Sequence, residues 1–314
     1  MIRFIGRRLL YAIPVLIGVA IVVFATIKLI PGDPAAAMAG FNSTEAQKAA
    51  LRHALGLDRN VFMQFGIWFT NALHGDLGTS IAQQVPVRGL VVSAFGNTLI
   101  LAAYAFILAL VIGLVVGGVA ALKPNSWIGK VCSAVSSISV SAPQYSVALI
   151  LIVYVALDMK AFPVSGMYAT GGGGFGDLLF HGFLPALTSA LVPAGMIGRV
   201  FRASLLEVLS LDFVEALRSR GYSERRILVH AIHNTTPTLL TMAGLQIGYL
   251  LGGVVFVETI FSWPGLGSLL FNSISSRDLP VVQAGVLVSA AAFVIINIAV
   301  DALHALIDSR VRTA

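Results

Sequence analysis

FGNTLILAAYAFILALVIGLVVGGVAAL, residues 95–122, runs for 28 residues without one Asp, Glu, Lys or Arg. About 20 mostly apolar residues suffice for a helix to cross a bilayer. Apolar residues follow one another here with no alternation of period two, so the stretch reads as a spanning helix and not as a barrel strand.

Five more stretches read the same way. They are Leu9–Ile30, Val131–Leu157, Leu178–Gly198, Thr236–Val257 and Val281–Val300. Leu178–Gly198 is the weakest, with His181, Pro185 and Pro193 inside it. The composition agrees. Of 314 residues 57% are hydrophobic and 11% charged, and mean hydropathy is +0.91. A soluble domain carries about 25% charged residues, so lipid is the solvent this composition fits. The fold class is therefore an all-α membrane protein with six transmembrane helices. The apolar run of the first span is longer than the ~7–15 residues of a signal peptide, so Ala37-Met38-Ala39 reads as a loop and not as a cleavage site.

The net charge of +6 does not point to nucleic acid, because the basic residues flank apolar spans, where topology calls for them. With the N-terminus inside, thirteen Lys and Arg fall on the inner side and seven outside. Five of the seven lie at the outer end of the first span or in the long first loop, which counts little in the rule. Both termini are expected in the cytoplasm. The single cysteine, Cys132, excludes an internal disulfide.

The chain divides into an N-terminal segment with the first span (1–30), an outer loop with short helices (31–94), a core of five spans (95–308) and a tail (309–314). In the outer loop Thr44 and Gln47 have capping-box spacing, with Gly56 as a helix stop. Phe62, Phe65, Trp68 and Phe69 follow at helical spacing, for the membrane interface or for packing on the bundle.

The inner loop, about 204–235, is the most informative segment. Asp212 to Leu228 mixes Glu215, Glu224, Arg218, Arg220, Arg225 and Arg226 with Phe213, Val214, Leu217 and Ile227. The pattern predicts two short helices meeting at Gly221, capped by Asp212 and Ser223. Such a unit is placed to dock on another protein; a solvated basic loop is the plainer reading.

At this point the sequence resembles a family. Glu215, Ala216 and Gly221 match the inner-loop signature of bacterial ATP-binding-cassette importer permeases. Leu217, Ala231 and His233-Asn234 depart from it, and His230-Ala231-Ile232-His233-Asn234 is similar to its peptide and nickel branch. So are Leu29-Ile30-Pro31-Gly32-Asp33-Pro34, Leu55-Gly56-Leu57-Asp58, Gly75-Asp76-Leu77-Gly78-Thr79-Ser80, Glu258 to Gly267, and Asp278-Leu279-Pro280. The resemblance covers nearly the whole chain and is greatest to the first, B-type permease of dipeptide and oligopeptide importers.

The resemblance implies the type I importer permease fold in a bacterial cytoplasmic membrane. It implies a second homologous permease, two ATPase subunits that carry ATP and Mg, and an extracytoplasmic substrate-binding protein. The chain itself has no phosphate-binding loop of the Gly-x-x-x-x-Gly-Lys-Ser/Thr type, and it is expected to be a non-catalytic subunit without a cofactor of its own. The ATPase-coupling residues implied are Asp212, Phe213, Glu215, Ala216, Leu217, Arg218, Arg220, Gly221, Ser223, Glu224, Arg225 and Arg226. Apolar Phe213, Leu217 and Ile227 would seat the loop in an ATPase groove.

Two features of the spans stand apart. Ser133, Ser136, Ser137, Ser139, Ser141 and Ser146, with Pro143, Gln144 and Tyr145, make the third span polar. Lining a wet pathway, chiefly by Ser137, Ser141, Pro143, Gln144 and Tyr145, and hydrogen bonding between helices both fit. Gly113 and Gly117, and Gly244, Gly248 and Gly252, form small-residue stripes for helix packing, within the subunit or against its partner. His230 and His233 are too few for a metal site. A stand-alone carrier would place ionisable groups at membrane depth, and an enzyme would cluster catalytic groups; neither pattern is present.

Overall fold

A computed structural model describes residues 2–29, 44–54 and 58–307. The Pro31–Pro34 and Leu55–Leu57 parts of the motifs, Ala37–Ala39 and the tail 309–314 lie outside the described residues. The helices are α1 (Ile2–Leu29), α2 (Glu45–Ala54), α3 (Val61–Leu73), α4 (Val87–Leu122), α5 (Trp127–Ser141), α6 (Gln144–Ile150), α7 (Phe175–Leu209), α8 (Asp212–Ser219), α9 (Glu224–Ile260), α10 (Leu266–Ser275) and α11 (Leu279–Ile307). No strand occurs among the described residues.

Five helices are long and apolar enough to cross a membrane, and the α5–α6 pair makes a sixth span if its two limbs are counted together. The expected third span is thus corrected: it is broken and bent by 110°. Pro143 is the cause. It has no N–H to continue the ladder, and it drives Ala142 into the extended region (ψ 129). Beyond α6, residues Leu151–Asp158 wind as a π-helix, with the Met159 N–H donating to the Tyr154 carbonyl at 3.0 Å.

Helix α7, the weakest span by sequence, sits at the centre. Its window is 56% buried against 17–39% for the other four. This explains its low hydropathy. A helix wrapped by protein has less need of lipid-soluble side chains, and Thr188 returns its hydroxyl to the Leu184 carbonyl at 2.8 Å. Small residues let its neighbours approach. Leu101, Ala105 and Ala109 of α4, Ala186, Ala190 and Ala194 of α7, and Leu250 and Val254 of α9 share one core. A Cβ added at Gly117 would stand 2.4 Å from the Gly198 carbonyl oxygen, and one at Gly113 2.9 Å from that of Ala194. This stripe therefore packs inside the subunit. The α9 stripe differs. Gly244 and Gly248 are buried, with Gly248 facing Asn297 of α11, but Gly252 faces open space and packs on none of the described residues.

Helix α1 lies at the edge, tied to α11 by Arg8 and Asp301 at 2.8 Å. The aromatic row of α3 packs on its far end: Phe65 and Trp68 stand 5.4 and 5.8 Å from the Phe24 ring, while Phe62 remains exposed. The Thr44–Gln47 capping box forms at the start of α2, with bonds of 2.9 and 3.3 Å.

Candidate functional site

The turn joining α7 to α9 is built around Gly221. Its φ of +76 is left-handed, a region in which a Cβ meets the chain. Gly221 N–H donates to the Arg218 carbonyl at 2.9 Å and Tyr222 N–H to that of Leu217 at 3.1 Å. These two bonds are those of a Schellman motif, and they close α8 where the glycine stands. The first turn of α8 carries Asp212 and Glu215 and its last turn Arg218, each charge opposing the helix dipole end it sits on.

Several expectations are corrected. Leu211, not Asp212, is the N-cap of α8, and Asp212 is the first helical residue. Ser223 stands at the N-cap of α9, but its side chain makes no capping bond. The second helix is not short: it is the first part of the 37-residue α9 and runs straight into the fifth span. Ile227 is 0% exposed and Val214 1%, and Phe213 and Leu228 pack against Phe201, Leu205, Val208 and Ala231. The apolar side of the turn is therefore spent on the chain's own bundle, and Ile227 is not available to a partner's groove. Phe213 and Leu217 are half-buried.

The outward side is charged. Asp212, Glu215, Ala216, Arg218, Arg220, Gly221, Ser223, Glu224, Arg225 and Arg226 are all exposed. Arg218 and Glu224 form an ion pair at 3.0 Å across the glycine. That carboxylate, by its hydrogen bond and its charge, raises the Arg218 guanidinium above its ordinary value. The Arg226 guanidinium lies 5.4 Å from the Tyr222 ring centre. The result is a short bracket, anchored from inside by Val214 and Ile227, with an exposed Arg218–Glu224 ion pair across its outer side. The bracket follows α7 after Ser210-Leu211 and runs without a break into α9.

The serine-rich span is divided in use. Ser136 is buried, and its backbone oxygen would stand 2.6 Å from a Cβ at Gly195 of α7. Ser137 donates to the Ser133 carbonyl at 3.1 Å. Gln144 reaches the Ser189 carbonyl at 3.4 Å. Ser137, Ser141, Pro143 and Tyr145 are exposed, and Gln144 is half-buried.

At the opposite end of the bundle two sequence motifs turn out to be clasps. The Glu258 carboxylate is fully buried. It accepts from the Thr98 hydroxyl at 2.6 Å, from Gly267 N–H at 2.7 Å and from Ser268 N–H at 3.2 Å. It thereby satisfies the first amides of α10, which have no partner within their own helix. Trp263 donates its indole N–H to the Asn97 carbonyl at 3.0 Å. Asp278, also buried, accepts from the Ser80 hydroxyl and from the amides of Ile81 and Ala82 at 3.1 and 3.3 Å. The two motifs carry no assigned role in the sequence alone. A lone Glu followed by Pro-Gly-x-Gly is the available signal for the Gly267 and Ser268 amides, but Thr98 lies 160 positions earlier. Among the described residues no group of three or more His, Cys, Asp or Glu is placed to hold a metal.

Known proteins align with this architecture from end to end. Residues 109–313 match the family model "Binding-protein-dependent transport system inner membrane component", and residues 1–102 match the N-terminal model of the same system. The glutathione transport system permease protein GsiC of Salmonella choleraesuis is 36% identical over 313 residues, 99% of each chain. The dipeptide transport system permease protein DppB of Escherichia coli K12 is also 36% identical, over 336 aligned residues and 99% of each chain. Among solved structures, an inward-facing form of the MetNI methionine ABC transporter superposes with a TM-score of 0.56 at 20% identity, over 70% of this chain and 96% of that one; it speaks for the fold alone. This chain is a multi-pass membrane protein belonging to the binding-protein-dependent transport system inner membrane component family, the permease subunits of ATP-binding-cassette importers.

Proposed function

We propose that the chain forms half of the translocation pathway for short peptides and that the Asp212–Arg226 bracket couples it to ATPase subunits. The observation that carries the coupling assignment is the bracket itself: charged on its outer side, anchored inside by Val214 and Ile227, and set between α7 and α9. Closure of two ATPase subunits on ATP and Mg would push the bracket as one body. The attached spans would then swing between two arrangements, as alternating access by rigid-body movement requires. The ATPase contact is through Glu215, Ala216, Arg218, Arg220, Arg225 and Arg226, which are exposed, and not through Ile227.

The remaining partners in this reading are a second, homologous permease and an extracytoplasmic binding protein. Both termini lie in the cytoplasm, and the membrane is a bacterial cytoplasmic membrane. The subunit performs no chemistry and binds no cofactor. Ser137, Ser141, Pro143, Gln144 and Tyr145, at the elbow of the bent span, face the pathway. The cargo class rests on the two relatives named for dipeptide and for glutathione. Glutathione is itself a tripeptide, so both fall within short peptides; their equal identity to this chain does not divide them.

The test is reconstitution. The tagged chain is purified with whatever accompanies it, placed in liposomes with ATP inside, and offered binding protein loaded with a labelled dipeptide. Uptake that needs ATP, together with recovery of a second permease and two ATPase subunits, is expected. Active uptake by the chain alone would overturn the reading.

A further inference from the structure

A cavity of about 560 Å³ opens between α5 and α7, lined by Ser133, Ser136 and Ser137 on one side and Arg199 and Arg202 on the other. Its lining holds two cations and three hydroxyls and no acidic residue. Neither arginine makes an ion pair or a side-chain hydrogen bond with the described residues, and Arg202 Nε is shut off from solvent without an acceptor. A shielded guanidinium N–H without an acceptor is costly, and planar guanidinium groups are suited to two-point binding of a carboxylate. The two arginines are three positions apart on one helix and so share a face.

Their depth adds to the argument. Arg199 lies 24 residues beyond Phe175 along α7, or about 36 Å at ~1.5 Å per residue. A hydrocarbon core is about 30 Å thick, so the pair stands at the inner mouth of the bundle. Ser137 is also one of the residues assigned to the pathway above. A peptide bearing a carboxylate must cross a region where an unpaired charge is expensive, and among the residues assigned to that pathway none is charged.

We propose that Arg199 and Arg202, with Ser133 and Ser137, form an anion site at the inner end of the pathway that receives the carboxylate of the cargo before release. The proposal rests on the peptide-importer reading and deepens it.

The probe is N-acetyl-alanyl-alanine against its C-terminal amide, which differ only in the carboxylate. Equilibrium dialysis is run on the purified nucleotide-free assembly in neutral lipid, with no binding protein present. The acid is expected to bind about tenfold or more tightly than the amide, the range of a charge-assisted hydrogen bond. Arg199→Gln with Arg202→Gln should abolish that preference, and Arg202→Lys should retain part of it. Intact subunit composition and an unchanged unfolding temperature verify that the variants are folded. Equal binding of acid and amide overturns the site, and so does a preference that survives the double variant. Displacement of the acid by added anionic lipid also overturns it, because the occupant is then a headgroup phosphate. Uptake is measured separately on the same wild-type assembly: failure there tells against the importer reading, while loss of the acid preference with uptake intact tells against the anion site alone.

Discussion

Replacing Gly221 by alanine tests the bracket at the residue that sets its shape. A Cβ at this position meets nothing within 4 Å, so sterics with neighbours contribute no cost. What remains is the backbone: φ is +76, and a residue with a Cβ held in the left-handed region costs about 1–2 kcal/mol. The buried anchors Val214 and Ile227 resist relaxation, so the strain weighs directly on the seated turn. A penalty of that size lowers the ratio of native to displaced bracket by about 5–30-fold. The core spans lie elsewhere, so the amount of protein in the membrane should be unchanged. The assay is the ATPase rate of the purified assembly with and without loaded binding protein, together with uptake into liposomes. Gly221→Ala should lose most of the stimulation and the uptake. Gly221→Asn should keep more of both, because asparagine tolerates the left-handed region better than alanine. Wild-type coupling in Gly221→Ala would refute the reasoning that bracket geometry transmits the stroke.

Three further outcomes follow from packing. Gly117→Ala places a methyl group 2.4 Å from the Gly198 carbonyl oxygen, and overpacking of this kind costs about 1–3 kcal/mol. The unfolding temperature of the detergent-purified assembly should fall, whereas Gly252→Ala, with open space around it, should leave it unchanged. Glu258→Ala removes the acceptor for Thr98, Gly267 and Ser268; the Thr98 hydroxyl still has the Ala94 carbonyl at 3.2 Å, but the buried Gly267 amide is left unpaired at about 1–3 kcal/mol. It should destabilise the outer clasp more than Glu258→Gln, as read by protease cleavage between Phe261 and Ser276. Pro143→Ala restores the missing N–H and frees Ala142 to become helical, so the 110° bend should open; the distance between spin labels at Ile128 and Tyr154 should lengthen.

How much of this was legible in the sequence depends on the reach of the cause. Local causes showed. The uncharged 95–122 run, the glycine at 221 and the Thr44–Gln47 box each act within a few residues, and each could be read along the chain. The bend at Pro143 was also local, but a hydropathy window averages across Ala142-Pro143, and the six serines drew attention to polarity instead of to the break. The central place of α7 was hidden because burial by protein lowers the need for apolar side chains, so the innermost span looked the weakest. The helix start beside Ser223 is legible, but its unbroken run into the fifth span is not, because His230, His233 and Asn234 depress hydropathy without interrupting the helix. Ile227 shows the limit of pattern reading: an apolar residue in a charged loop fits an external groove as well as the chain's own core. The Glu258 and Asp278 clasps join residues far apart in sequence, and no local signal names both partners.

In the proposed mechanism the outer side of the Asp212–Arg226 bracket touches an ATPase. Site-specific photo-cross-linking in intact cells tests it most directly. A photoreactive residue at Ala216, which is exposed, should capture an ATPase subunit in high yield, and one at Ile227, which is fully buried, should cross-link only within the chain. An Ala216 probe that captures no ATPase, in cells where ATP-dependent peptide uptake is intact, would contradict the account.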